Sequence, residues 1–206
     1  MVYSKIIPKT DQHLSESLLS NGWIKIREPK NLFTAILLSI PLMVLNAALT
    51  LFAVAPIRSW VIGLGEMMLG DGIALNITVV PIVGILGIFV YLIIHELLHA
   101  VFTPNFPKSK KTHWGITFFG GFVSTTEEIT KGRFILISIV PFIVLSLAMP
   151  ALFIVFNAFN GYIAFFAILN ALGSSIDILN IFTITFQVPN GGRIINNGFE
   201  TYFKCS

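Results

Sequence analysis

The chain has 206 residues, of which 55% are hydrophobic and 11% charged, and its mean hydropathy is +0.84. A water-soluble domain carries about 25% charged residues, so this composition excludes an ordinary solvated globule, and its apolar content excludes a disordered chain. One cysteine, Cys205, excludes a disulfide framework and a cysteine-based zinc site, while the net charge of +3 leaves an acidic partner open until the charges are placed.

Residues 1–31 are polar and mixed in charge, with Pro8, Pro29 and a helix-compatible stretch from Leu14 to Leu19. A secretory signal has a short basic start and an apolar core of about 7 to 15 residues. This stretch has neither, and it reads as an unprocessed cytoplasmic segment. Four long apolar stretches follow, at 32–56, 73–102, 134–156 and 161–188, with a cytoplasmic tail at 189–206. Each is long enough to cross a hydrocarbon core of about 30 Å, which takes about 20 helical residues. The expected fold is therefore an all-α polytopic membrane protein with about four transmembrane helices.

Placing both termini in the cytoplasm leaves Arg58 as the single lysine or arginine outside, which is the charge bias that sets orientation. The positive charge is then a matter of topology and of contact with the bilayer's anionic headgroups, and no nucleic-acid partner is expected. No internal repeat is visible, so a transporter built from inverted repeats gains no support.

Between the second and third spans, Pro104 to Thr112 reads as a basic loop. The stretch His113 to Thr126 is rich in aromatic and β-branched residues around Gly120-Gly121. Such a composition predicts a short strand or hairpin, followed by Glu127 and Glu128 as a solvated loop face.

Of the ten acidic residues, eight lie outside the spans; Glu96 and Asp177 lie inside. An acid facing lipid at mid-span costs about 2.5 to 3.5 kcal/mol or more, which marks these two as functional candidates. Glu96 belongs to His95-Glu-Leu-Leu-His99, and two of the chain's four histidines are in this motif. Residues four apart share a helix face, so His95 and His99 can hold one metal ion while Glu96 stands beside the open position as a base. A blander reading has the three side chains reach the nearby headgroups. That reading does not account for Asp177, about 16 Å below the inner end of its span.

A catalytic zinc site takes three protein ligands and one open position, and Asp177 is the other acid at membrane depth. Spans two and four run parallel, with their acids offset by roughly one helical turn, a gap that tilt or a break at Gly173-Ser174-Ser175 can close. Asn170, Ser174, Asp177 and Asn180 form a polar stripe. In it Asn170 is a candidate for holding a substrate backbone or a developing oxyanion. Gly173 and Ser175 read as close-packing residues, His113 as a surface histidine beside Trp114, and His13 as solvated. Pro81, Pro141 and Pro150 read as kinks.

These residues resemble the membrane-embedded zinc metalloproteases of the site-2 protease type, and more closely a family of small four-span bacterial zincin peptidases. The resemblance rests on His95-Glu-Leu-Leu-His99-Ala, on the strand-like segment after it, on Lys131-Gly-Arg through Pro141, and on Asn170 to Asp177. It spans residues 74–190. It implies Zn2+ as cofactor, His95, His99 and Asp177 as ligands, Glu96 as general base, Asn170 near the substrate, and residues 32–188 as a metallopeptidase domain in the cell membrane. The chain departs from the site-2 pattern in having Ile178 after Asp177, where that pattern has glycine, and in lacking a PDZ-like domain.

The expected activity is hydrolysis of a peptide bond of a membrane protein or peptide, in or near the cytoplasmic half of the bilayer. The segment Trp114 to Thr126 would capture the extended substrate by β-addition. Two alternatives stay open: a metal-binding membrane transporter or sensor without hydrolytic activity, and a scaffold that binds no metal.

Overall fold

In a computed structural model, four helical stretches among the described residues are long and apolar enough to cross a membrane: Leu32–Val54, Gly84–Val101, Lys131–Val155 and Gly161–Gln187. The structure describes residues 1–54, 56, 59–62, 64, 65, 73–117 and 120–205, with side chains in the second span described from Gly84 onward. Arg58, Glu66, Asp71, Phe118 and Phe119, and the side chain of Pro81, lie outside the described residues.

Helix α1 (Gln12–Ser20) starts where the Asp11 side chain accepts from Leu14 N–H, and α2 (Leu32–Val54) where Asn31 Oδ1 accepts from Thr34 N–H at 2.9 Å. Helix α2 is apolar on nearly every side, and Phe33, Val44 and Phe52 are all more than two-thirds exposed. Such a surface suits hydrocarbon rather than water. Helix α3 (Ile73–Val101) is the second span.

The third span is not one regular helix. Helix α4 (Lys131–Pro141) passes into a π-helical stretch, Phe142–Ala148, and then into α5 (Met149–Val155). Pro141, which has no N–H to continue the ladder, marks the change. The expected kink there is thus a change of helix type. The fourth span is two helices, α6 (Gly161–Gly173) and α7 (Ser175–Gln187), separated at Ser174. Asn160 caps α6 by accepting from Tyr162 and Ile163 N–H.

The chain is mostly helical, but two β-sheets among the described residues correct the all-α expectation, which allowed only a strand or hairpin after the second span. One has the order β1-β3-β4, built from β1 (Val2–Tyr3), β3 (Thr112–Thr117) and β4 (Gly120–Thr125). The β3/β4 pair is the expected hairpin, and β1 lies parallel to β3 with Val2 opposite His113. The other has the order β2-β7-β6-β5, from β2 (Ile24–Lys25), β5 (Ile129–Thr130), β6 (Arg193–Asn197) and β7 (Glu200–Lys204). The C-terminal stretch is therefore a hairpin rather than a plain tail. The available signal was Gly198, at φ 62° the first residue of the two-residue turn Gly198-Phe199.

The chain divides into two compact units. The first comprises Met1–Ser39, Glu96–Val140 and Ile176–Ser206. Its core gathers Ile26, Ile129, Ile184, Val188, Ile194 and Phe203, and Phe134 and Ile137 pack against it. Buried Asn197 ties α1 to the β6/β7 turn, donating to Asp11 O and accepting from Asp11 N–H.

The second unit comprises Ile40–His95 and Pro141–Ser175, with a core of Trp60, Ala164 and Ala167. Small residues on α6 let helices approach closely. The tight glycine here is Gly87, where a Cβ would run into the Phe166 ring. Gly173, expected to be a packing glycine, would meet nothing within 4 Å. Ser175 is buried, and its hydroxyl donates to Leu172 O.

Candidate metal centre

The last two turns of α3 carry His95, Glu96 and His99, and the i, i+4 spacing puts the two imidazoles on one face. Each ring is oriented by a hydrogen bond at Nδ1. His99 Nδ1 donates to Ile137 O, 2.8 Å away, and a backbone carbonyl can only accept.

His95 Nδ1 lies 2.8 Å from Asn170 Oδ1. The amide of Asn170 is oriented by its other end, because Nδ2 donates to Pro141 O at 3.1 Å and to Ser146 Oγ at 2.8 Å. With the amino group turned to Pro141 O, the oxygen faces His95 and accepts from it. Both rings therefore carry their proton on Nδ1 and their lone pair on Nε2, the tautomer that metal-binding histidines adopt when the other nitrogen is held.

Asp177, in the first turn of α7, brings Oδ2 to 3.5 Å from His99 Nε2. One ligand atom from each of His95, His99 and Asp177 lies within 4.8 Å of the other two. Donors on a tetrahedral zinc with bonds of about 2.0 to 2.1 Å stand about 3.4 Å apart. Two imidazoles and a carboxylate are a donor set that zinc takes, the 3.5 Å from His99 Nε2 to Asp177 Oδ2 is close to that spacing, and the offset expected between Glu96 and Asp177 does not keep the carboxylate away from His99.

Glu96 stands one position round the helix from His95. Strand β4 passes against it at Gly121, where a Cβ would fall 2.8 Å from Glu96 Cδ and 2.9 Å from Oε1. Only glycine leaves the carboxylate in place.

The remaining candidates sort by position. Asn170 is buried, and its amide is engaged by His95, Pro141 and Ser146. His113 is on β3 and is not part of the three-residue group, the one such group among the described residues. Glu127 accepts from Ser109 Oγ, and Glu128 pairs with Arg193 at 2.9 Å. Sequence reasoning missed Ser146 and Gly121. A serine within the third apolar span, and the second glycine of Gly120-Gly121, at the start of β4, were the available signals.

The helices and the cluster define a class: a chain with membrane-length helices carrying a candidate two-histidine, one-carboxylate metal centre. The family model described as "Putative zincin peptidase" matches residues 88–192, about half of the chain, and the chain belongs to that family. The matched stretch contains His95, Glu96, His99, Asn170 and Asp177. No curated protein and no solved structure matches the chain.

Proposed function

We propose that this chain is a zinc-dependent, membrane-embedded peptidase of the site-2 type, acting in the cell membrane on a peptide bond in or near the cytoplasmic half of the bilayer. In this reading His95, His99 and Asp177 hold the metal and Glu96 is the general base. The observation that carries it is the locked pair of imidazoles, with the Asp177 carboxylate 3.5 Å from His99 Nε2.

Zinc held there would supply a Lewis acid and a bound water acidified toward neutrality. Glu96 accepts the proton of the attacking water and returns it to the leaving amine. Asn170, with its amide engaged, serves by holding the His95 ring rather than by meeting an oxyanion.

The strand-addition reading gains support from the register of β4. Thr126 N–H donates to Lys111 O, one pair beyond Thr112 and Thr125. Bonded and non-bonded pairs alternate along an antiparallel ladder, so Gly121 and Val123 turn their N–H and C=O groups away from β3. On the other side, Ser4 N–H donates to Trp114 O, which agrees with that phase. A peptide pairing with β4 at Gly121 would run beside Glu96 with its backbone extended, the form in which its amides are open to attack.

The cytoplasmic placement of both termini is supported by strand pairing. The sheets join residues 2–3 to 112–114 and residues 24–25 and 129–130 to 193–204, and hydrogen-bonded strands of one sheet share one side of a bilayer.

The test is Glu96→Gln in full-length protein with a membrane-anchored peptide substrate. Cleavage should fall by about 100-fold or more while zinc content stays at wild-type level. A Glu96→Gln protein that cleaves as fast as wild type overturns the assignment of Glu96 as the general base, and with it the metallopeptidase mechanism proposed for this site. Zinc bound without any cleavage by wild type would favour the transporter or sensor.

A further inference from the structure

Two cations of α4 sit where their own helix disfavours them. Lys131 and Arg133 are its first and third residues, and the N-terminal end of a helix carries partial positive charge that favours acids. Both side chains reach instead to the C-terminal ends of other helices. Lys131 Nζ donates to Val188 O at 2.5 Å and to Thr185 O at 3.0 Å, closing the end of α7. Arg133 Nε donates to Phe102 O at 2.8 Å, one residue past α3.

These carbonyls lie in the last turn of a helix or one residue past it, where carbonyls lack an intrahelical partner and cations are favoured. One turn along α4 from Arg133, Ile137 O receives His99 Nδ1–H. The opening two turns of α4 thus hold the helix that carries His99 and the helix that carries Asp177, all within the first unit.

We infer that Lys131 and Arg133 are positioning residues, a cationic clamp that sets the separation of Asp177 from His99. The inference rests on the metal-centre reading above. Helix α7 starts afresh at Ser175, so its direction depends on what holds its far end. From Asp177 to the clamped end at Val188 is about 16 Å of helix. Over that lever a tilt of about 10° moves the carboxylate by about 3 Å, more than the length of a zinc–oxygen bond. Gln187 reinforces the same end, accepting from Arg27 N–H and donating to Arg27 O, both at 2.8 Å.

The experiment uses full-length protein in lipid nanodiscs, with zinc affinity measured by chelator competition and ligand geometry by the visible absorption of the Co2+ form. Lys131→Met and Arg133→Met should each weaken zinc binding by about 10-fold or more and weaken the Co2+ band, with helical circular dichroism unchanged. Lys131→Arg, which keeps a cation in reach, should bind within about 3-fold of wild type. Should Lys131→Met fail to fold, Lys131→Gln keeps a donor without the charge and should fall between Arg and Met.

Wild-type affinity together with a wild-type Co2+ spectrum in the Met variants, or in Lys131→Gln, overturns the clamp. Wild-type protein that takes up no zinc, indistinguishable from His95→Ala, overturns the metal centre and the clamp with it.

Discussion

The side-chain oxygen of Asn170 lies 2.8 Å from Nδ1 of His95, and the amino group of the same amide is held by Pro141 O and Ser146 Oγ. One buried asparagine therefore links the imidazole to the point where the third span turns π-helical. Irregular turns of this kind recur at functional sites. Here the stretch presents the carbonyl and the hydroxyl that fix which way the amide faces.

Asn170→Ala is expected to weaken zinc binding by about 10- to 100-fold, the usual cost of losing a ligand's outer hydrogen-bond partner. It should also lower stability by about 1 to 3 kcal/mol, because buried polar groups are left unpaired. Asn170→Asp keeps an acceptor for His95 but sets a carboxylate against Pro141 O, so its loss should appear in stability more than in affinity. Chelator competition and thermal unfolding separate the two. Equal affinity in the alanine variant and wild type would remove Asn170 from the site.

Asp177→Ala should lower zinc affinity by more than Asn170→Ala does, since it deletes a proposed ligand rather than its support. His113→Ala should leave affinity unchanged, because His113 is outside the three-residue group. The reverse order of effects would move the third ligand elsewhere.

Gly121→Ala should lower the turnover rate by about 10- to 100-fold, as a displacement near 1 Å does at a reacting group, while zinc affinity holds. The reason is the crowding of a Cβ against the Glu96 carboxylate. Gly132→Ala is the control: a Cβ there meets nothing within 4 Å. In the first turn of α4, it should leave stability at or slightly above wild type with activity intact. Steady-state kinetics on both variants decides the matter.

Two carboxylates of the first unit should give stability opposite pH dependences. The Lys25 hydrogen bond, and after it that from Tyr202, hold Glu200 below its ordinary value of 4.5. Its contribution is present above that value and is lost as pH falls through its folded pKa. Burial pushes Glu28 upward, against the hydrogen bonds it accepts from Thr201 N–H and Oγ. Its contribution is present below its ordinary value and is lost as pH rises through the raised one. Relative to wild type, Glu200→Gln should be less stable at neutral pH and converge in acid, whereas Glu28→Gln should gain as pH rises. Thermal unfolding from about pH 3 to about pH 7 reads both.

Much of this was legible in the residues themselves. The four apolar stretches coincide closely with the four membrane-length helices, because length and composition alone decide whether a segment suits hydrocarbon. The hairpin at β3 and β4 followed from β-branched and aromatic residues flanking Gly120-Gly121. The second sheet did not follow. Ile24 pairs with Phe203 and Ile129 with Ile194, and strands of two residues carry no period of their own. The break at Ser174 was foreseen as a possibility, but the π-helical turn after Pro141 was not, since its hydrogen-bond pattern leaves no mark in composition.

The sequence by itself determined that His95 and His99 share a helix face with Glu96 beside them, because 3.6 residues per turn is a local property of the backbone. It likewise determined that this helix, and the one carrying Asp177, belong to a chain with too little charge for water. Only the tertiary structure decided that Asp177 comes within 3.5 Å of His99, that Asn170 holds the His95 ring, and that β4 passes Glu96 at a glycine. Those distances depend on how separate helices and a strand pack, and on what holds their ends. No spacing along the chain encodes them.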